Sequence, residues 1–162
     1  LHQDWSFVDE QTGWSGLLWI PLVDVGPENG GLVLVPGSHR LGVARRGSHP
    51  WPDTLAGVRD DLQPRAIAVE AAAGDAVVYD NRVVHGSTSN RSHDDRPVLA
   101  VAIAPRDAAL HHHTVDPAGR TVVAEVADDY FLGQELGQVP AGALPVDASR
   151  FGPTAADLDA LA

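Results

Sequence analysis

The run Gly16-Leu17-Leu18-Trp19-Ile20-Pro21-Leu22-Val23-Asp24-Val25 decides the fold class of this chain, together with the turn Pro27-Glu28-Asn29-Gly30-Gly31 and the segment Leu32-Val33-Leu34-Val35 behind it. Apolar side chains occupy both parities of the first run, the pattern of a strand buried on both faces. Asn29-Gly30 tolerates the positive φ angles of a tight turn, so residues 32–35 are expected to fold back antiparallel on that strand, until Pro36-Gly37-Ser38-His39 ends the pair. Working outward, residues 66–70 and 75–79 read as short strands with a turn at Ala73-Gly74-Asp75. Residues 83–87 and 97–104 read as two more, separated by a polar loop at 88–95. Many short strands at close spacing, with almost no helical periodicity, argue an all-β sandwich or barrel.

Residues 40–65 are rich in Gly, Pro, Arg and Asp, with Trp51 in the middle and one short helix expected around 54–62. An insertion of this length in a compact domain is usually functional, and we read it as a lid. Further on, residues 110–114 and 121–126 are expected to pair across Asp116-Pro117-Ala118-Gly119, and Asp129-Tyr130-Phe131-Leu132 to pack an aromatic patch on the body. Residues 138–162, rich in Ala, Gly and Pro with one weakly amphipathic turn at 154–161, read as a peripheral tail. The expected organisation is one core over 1–137, carrying the lid at 40–65, and the tail at 138–162.

At 162 residues the chain suits a single domain. Its 22 acidic residues against 11 basic ones give a net charge of −11, which argues against nucleic acid or an anionic membrane as partner and for a small-molecule substrate. The absence of cysteine excludes a disulfide framework, a thiolate zinc site and a cysteine nucleophile, so histidine and carboxylate must carry any metal chemistry. No apolar run is long enough to span a bilayer, and a cytoplasmic location is expected. The chain starts at Leu1 and has no methionine, so an N-terminal part is expected to be missing and a sheet edge to lie exposed near Leu1.

The chemistry-bearing residues flank the central run. In His2-Gln3-Asp4, an extended backbone would place the histidine and the carboxylate on one face, within reach of one metal ion. Alone this triplet is common. A third candidate, His85 in Val83-Val84-His85-Gly86-Ser87, completes two histidines and one carboxylate, the facial triad of non-haem Fe(II) oxygenases. Ser87 shares a strand face with His85, and a chain returning antiparallel through 88–95 would set Arg96 beside it. A guanidinium and a hydroxyl inside a barrel need an anion, and a carboxylate bound by both is the natural partner.

These blocks resemble the phytanoyl-CoA dioxygenase family of Fe(II)/2-oxoglutarate oxygenases. His2-Gln3-Asp4 matches its HxD motif, Trp19 to His39 is similar to its central segment ending in Pro-Gly-Ser-His, and His85-Gly86-Ser87 with Asn90 and Arg96 matches its distal segment. The resemblance implies a double-stranded β-helix, a jelly-roll or cupin-like core. It implies that His2, Asp4 and His85 hold Fe(II), that Arg96 and Ser87 bind the distal carboxylate of 2-oxoglutarate, and that Trp19 lines the cosubstrate pocket. Dioxygen would complete the reaction, hydroxylating an aliphatic C–H of a small molecule with release of succinate and carbon dioxide. The Arg45-Arg46-Gly47-Ser48 region and the tail resemble bacterial members acting in secondary metabolism, and a lipid-like substrate is the other class considered. Related halogenases lack the carboxylate, so Asp4 favours hydroxylation, with desaturation and ring closure left open.

The other histidines have simpler readings. His39 is expected to cap its turn, His49 and His93 lie in polar loops, and His111-His112-His113 would aim only its outer rings at one face. Trp5 could wall a substrate pocket, while Trp14 and Trp51 read as packing. Arg40, Arg45 and Arg46 fit either an anionic substrate group or a solvated face. Two competing readings stand: a cupin-like metal-binding or sensing module without turnover, which has no need of Ser87 or Arg96, and a non-catalytic β-sandwich, which requires His2, Asp4 and His85 to lie apart.

Overall fold

In the computed structural model, which describes residues 1–41, 45–135, 137–148 and 153–161, the apolar run starting at Gly16 forms β1 (Gly16–Pro21). The strand stops at Pro21, and Val25 makes only a single bridge, to Ala71. Four strands follow: β2 (Leu32–Leu34), β3 (Ile67–Ala68), β4 (Val77–Asp80) and β5 (His85–Ser87). The next, β6 (Val98–Ile103), comes directly after Arg96-Pro97. They assemble into two antiparallel sheets, ordered β4-β1-β6 and β3-β2-β5. Apart from β2 and β3, each strand lies in the opposite sheet from the strand before it.

This winding corrects the expected hairpin: β2 does not pair with β1. The Asn29-Gly30 turn closes on itself instead. The Asn29 side chain accepts from the Gly26 N–H at 2.9 Å and donates to the Asp24 carbonyl at 2.8 Å, the Gly31 N–H donates back to Gly26, and Gly30 sits at φ 81°. A compact loop of this kind redirects the chain across the interior. Trp19, Leu17, Tyr79, Val77 and Val98 from one sheet then pack against Leu32, Leu34 and Val83 from the other side. Arg96 is corrected in the same way. It precedes a strand of the opposite sheet rather than a neighbour of β5.

Residues 40–65 do more than cover the barrel. Leu41, Leu55, Val58 and Leu62 are buried with Val35 and Val84 in a second apolar cluster, and α1 (Arg59–Leu62) is the short helix expected there. The segment is scaffold over much of its length, because the 55, 58, 62 spacing puts three apolar side chains on one helical face; its residues 42–44 lie outside the described residues. Nor is the tail peripheral throughout. Leu158, in a 3₁₀ turn at Ala155–Leu161, is buried in the same cluster, and its carbonyl accepts from Arg65 at 3.1 Å. Positions 136, 149–152 and 162 lie outside the described residues.

The late hairpin forms as read, from β7 (Leu110–Val115) and β8 (Thr121–Val126), with β9 (Leu144–Pro145) added from the tail. Behind it α2 (Tyr130–Gly133) sets Phe131 edge-on to Phe7 and His112. Near Leu1 the expected open edge is met by a bridge between His2 and His85, while among the described residues β6 pairs on one side only. No helix among the described residues is long and apolar enough to cross a membrane.

Candidate metal centre

The HxD segment lies against the start of β5. The His2 N–H donates to the His85 carbonyl at 2.9 Å and the His85 N–H to the His2 carbonyl at 2.8 Å, which sets the two side chains on one face. Their rings lie 4.3 Å apart between centroids. The Asp4 N–H donates to the Asn81 carbonyl at 3.1 Å, turning its carboxylate toward both imidazoles: Oδ1 is 3.7 Å from His85 Nε2 and 4.0 Å from His2 Nε2. Ligand atoms of the three residues all fall within 4.8 Å of one another, the one such group among the described residues. The sandwich reading, which needed them apart, fails on this geometry.

The electrostatics suit a cation. His85 Nδ1–H donates to the Val83 carbonyl at 2.9 Å, which leaves Nε2 as the lone-pair nitrogen facing Asp4. Partial burial and the neighbouring His85 outweigh Asp4 in lowering the His2 pKa, and burial lowers that of His85, which favours the neutral, metal-binding form of both rings. Burial raises the Asp4 carboxyl, with its Oδ2 enclosed and without a hydrogen-bond partner. A divalent ion held by the two imidazoles and Asp4 Oδ1 would offset the charge of this half-enclosed carboxylate, so the residues fit iron. Tyr79, packed 4.8 Å from the His85 ring, has its phenol pKa pushed up by burial and by Asp4.

A second polar cluster lies between the sheets. Arg96 Nη2 donates to Ser87 Oγ at 3.3 Å, and the guanidinium carbon lies 5.8 Å over the Trp19 ring, itself buried. Arg96 Nε and Thr88 Oγ1 are enclosed and lack partners. Unpaired buried donors are costly, so this cluster is complementary to an anion, and the fork of Arg96 fits the distal carboxylate of a dicarboxylate such as 2-oxoglutarate. Trp19, Ser87 and Arg96 are thus brought together.

The sequence model of the phytanoyl-CoA dioxygenase family matches residues 1–98, which takes in the HxD, the central segment and His85. The chain belongs to the phytanoyl-CoA dioxygenase family. It is 34% identical over 109 residues to phytanoyl-CoA dioxygenase domain-containing protein 1 of Danio rerio, covering 63% of this chain and 38% of that protein. It is 30% identical over 122 residues to an L-proline trans-4-hydroxylase of Streptomyces griseoviridis, covering 62% of this chain and 46% of that enzyme. The chain therefore spans less than half the length of these relatives. Among solved structures, the non-heme alpha ketoglutarate dependent carbocyclase SnoK from nogalamycin biosynthesis superposes with a TM-score of 0.59 at 24% identity, over 94% of this chain and 55% of that one. The likeness shows the fold, a double-stranded β-helix.

Within this phytanoyl-CoA dioxygenase family chain, His112 and His113 have structural partners, whereas His39 does not cap its turn as expected. His39 is exposed; Ser38 ties its turn instead, donating to the Val35 carbonyl and accepting from the Val84 N–H, both at 2.7 Å. His112 hydrogen-bonds through Nδ1 to the Tyr130 hydroxyl and through Nε2 to Ser48, and His113 Nδ1 donates to the Ser6 carbonyl. Glu10 escaped the sequence reading, and Arg46, read as facing an anionic substrate group or solvent, is instead buried against it. Arg46 is 4% exposed and Glu10 7%, and they form an ion pair at 2.5 Å. Neither residue type signals burial, and 36 positions separate them.

Proposed function

We propose that this chain carries the catalytic centre of an Fe(II)/2-oxoglutarate-dependent dioxygenase that hydroxylates an aliphatic C–H bond of a small molecule. The observation that carries the reading is the convergence of His2, Asp4 and His85 in a fold that also brings Arg96, Ser87 and Trp19 together. The relative named L-proline trans-4-hydroxylase supports hydroxylation as the outcome.

Bound there, iron with 2-oxoglutarate and dioxygen would supply the oxidising power, one oxygen atom ending in succinate with loss of carbon dioxide and the other in the substrate C–H bond. The chain's own residues set the geometry. His2, His85 and the Asp4 carboxylate would hold the ion from one side, leaving room for cosubstrate and oxygen. The Arg96 fork and the Ser87 hydroxyl fix the far carboxylate, and Trp19 beneath the guanidinium keeps water from it. On the substrate side, Trp5 follows Asp4 directly and walls a cavity of about 220 Å³ with His2, Gln3, Trp51 and Thr54. A larger cavity of about 750 Å³ lies beyond Trp5, bounded by Phe7, Phe131 and the alanines of β6.

The test uses the full chain. Anaerobic Fe(II) with 2-oxoglutarate is expected to give a visible charge-transfer band, and air to release succinate; the absence of both overturns the reading. His2→Ala and Asp4→Ala are expected to abolish succinate release. Arg96→Ala is expected to raise the 2-oxoglutarate requirement about 10–100-fold while sparing the maximal rate, the signature of a lost charge-assisted hydrogen bond made in the ground state. Metal binding without succinate release in every condition would support the cupin-like sensing module instead.

A further inference from the structure

The segment that carries His2 and Asp4 is not part of a regular strand beyond the single bridge at His2. Its geometry therefore rests on discrete ties. They include the paired bonds with His85, the Asp4 N–H to Asn81, the Gln3 side-chain amide donating to the Arg82 carbonyl and Arg59 Nε donating to the Leu1 carbonyl. The Asp4 carbonyl also accepts from Arg46 Nε at 2.6 Å. Arg46 is in turn held by Glu10: Nη2 donates to Oε1 at 2.5 Å, and Oε2 accepts from Ser6 Oγ at 3.4 Å. Ser6 closes the ring, its hydroxyl accepting from the Arg46 N–H at 3.2 Å and its own N–H donating to the Arg46 carbonyl at 3.0 Å.

A buried ion pair is a poor device for stability, because desolvating two charges offsets most of their attraction, and apolar replacements of similar volume are often as stable. What such a pair does well is fix geometry. We infer that Glu10 and Arg46 form a positioning pair for the metal centre: Arg46 holds the Asp4 backbone so that its carboxylate meets the ion, and Glu10 locks the guanidinium in place. This inference rests on the proposed function above. Glu10 acts through Arg46, and Arg46, which also lines the small cavity beside Trp5, meets the centre through the Asp4 backbone, so the effect read here is a change in metal affinity and coordination.

The test uses the full chain with Co(II) as the probe, reading its affinity and visible absorption alongside the thermal midpoint. The double variant Glu10→Met/Arg46→Met removes both charges at similar volume. It is expected to fold with a midpoint near that of the parent, to lose about 10–100-fold in Co(II) affinity, and to change the shape of the cobalt spectrum. Arg46→Lys, which keeps the charge but replaces the rigid fork with one ammonium, is expected to show the same spectral change. A folded double variant with parental affinity and spectrum overturns the inference. If that variant fails to fold, Glu10→Gln, which keeps the shape, serves the same purpose, and unchanged Co(II) binding in it is equally fatal. A parent that binds no Co(II) overturns both this inference and the proposed function, whereas a parent that binds and variants that bind equally well overturn this one alone.

Discussion

His113 shows what burying an imidazole without a carboxylate does. Its ring lies edge-on to Trp51 with Nδ1–H bonded to the Ser6 carbonyl, and burial, only partly offset by that bond, pushes its pKa down to about 4 from an ordinary 6.5. The folded state thus binds fewer protons than the unfolded chain between those values. The stabilisation is complete above pH 6.5, falls as the pH drops toward 4 and levels off below it, a loss on the order of 3 kcal/mol. Burial shifts His2, His85 and His112 the same way, so they share the slope. Urea midpoints measured across this range are expected to fall with acidification, and His113→Gln to flatten the curve; an unchanged slope in that variant would reject the assignment. At this scale the sequence was most legible where chemistry restricts residue type. Few side chains ligate iron, so His2, Asp4 and His85 stood out by kind and spacing, as did Arg96 beside Ser87. Glu10 and Arg46 did not, since an acidic and a basic residue far apart in a chain look like surface.

Apolar runs announced most strands at the level of elements, but not their partners. Asn29-Gly30 carries the local signature of a hairpin turn, yet register depends on where the following side chains can be buried, and Leu32 and Leu34 find their place facing Trp19 across the interior rather than beside it. In residues 40–65 the short helix was legible but not its burial against Val35 and Val84, and the weakly amphipathic turn at 154–161 gave no sign that Leu158 completes that cluster. Both segments should therefore behave as core. Leu62→Ala and Leu158→Ala are each expected to cost about 2–5 kcal/mol, read from shifts in urea midpoint. A loss below about 1 kcal/mol for Leu158 would restore the tail to the periphery.

Over the whole molecule, the chain passes back and forth between two facing sheets, and this winding brings residues from the two ends of the matched region into one centre. Hydrophobic pattern located the barrel's strands without their order, because alternation between sheets leaves no trace in any local window. It does leave a trace in time. Gly16 pairs with Ile103 and His2 with His85, so these contacts close long loops, whereas β7 and β8 are joined by a short turn. Assembly from distant pairings is slow, so His2, Asp4 and His85 are expected to meet late in it. A divalent ion should therefore be captured by an already folded chain rather than guide it. Stopped-flow kinetics on the full chain are expected to show Co(II) slowing unfolding while leaving the refolding rate unchanged.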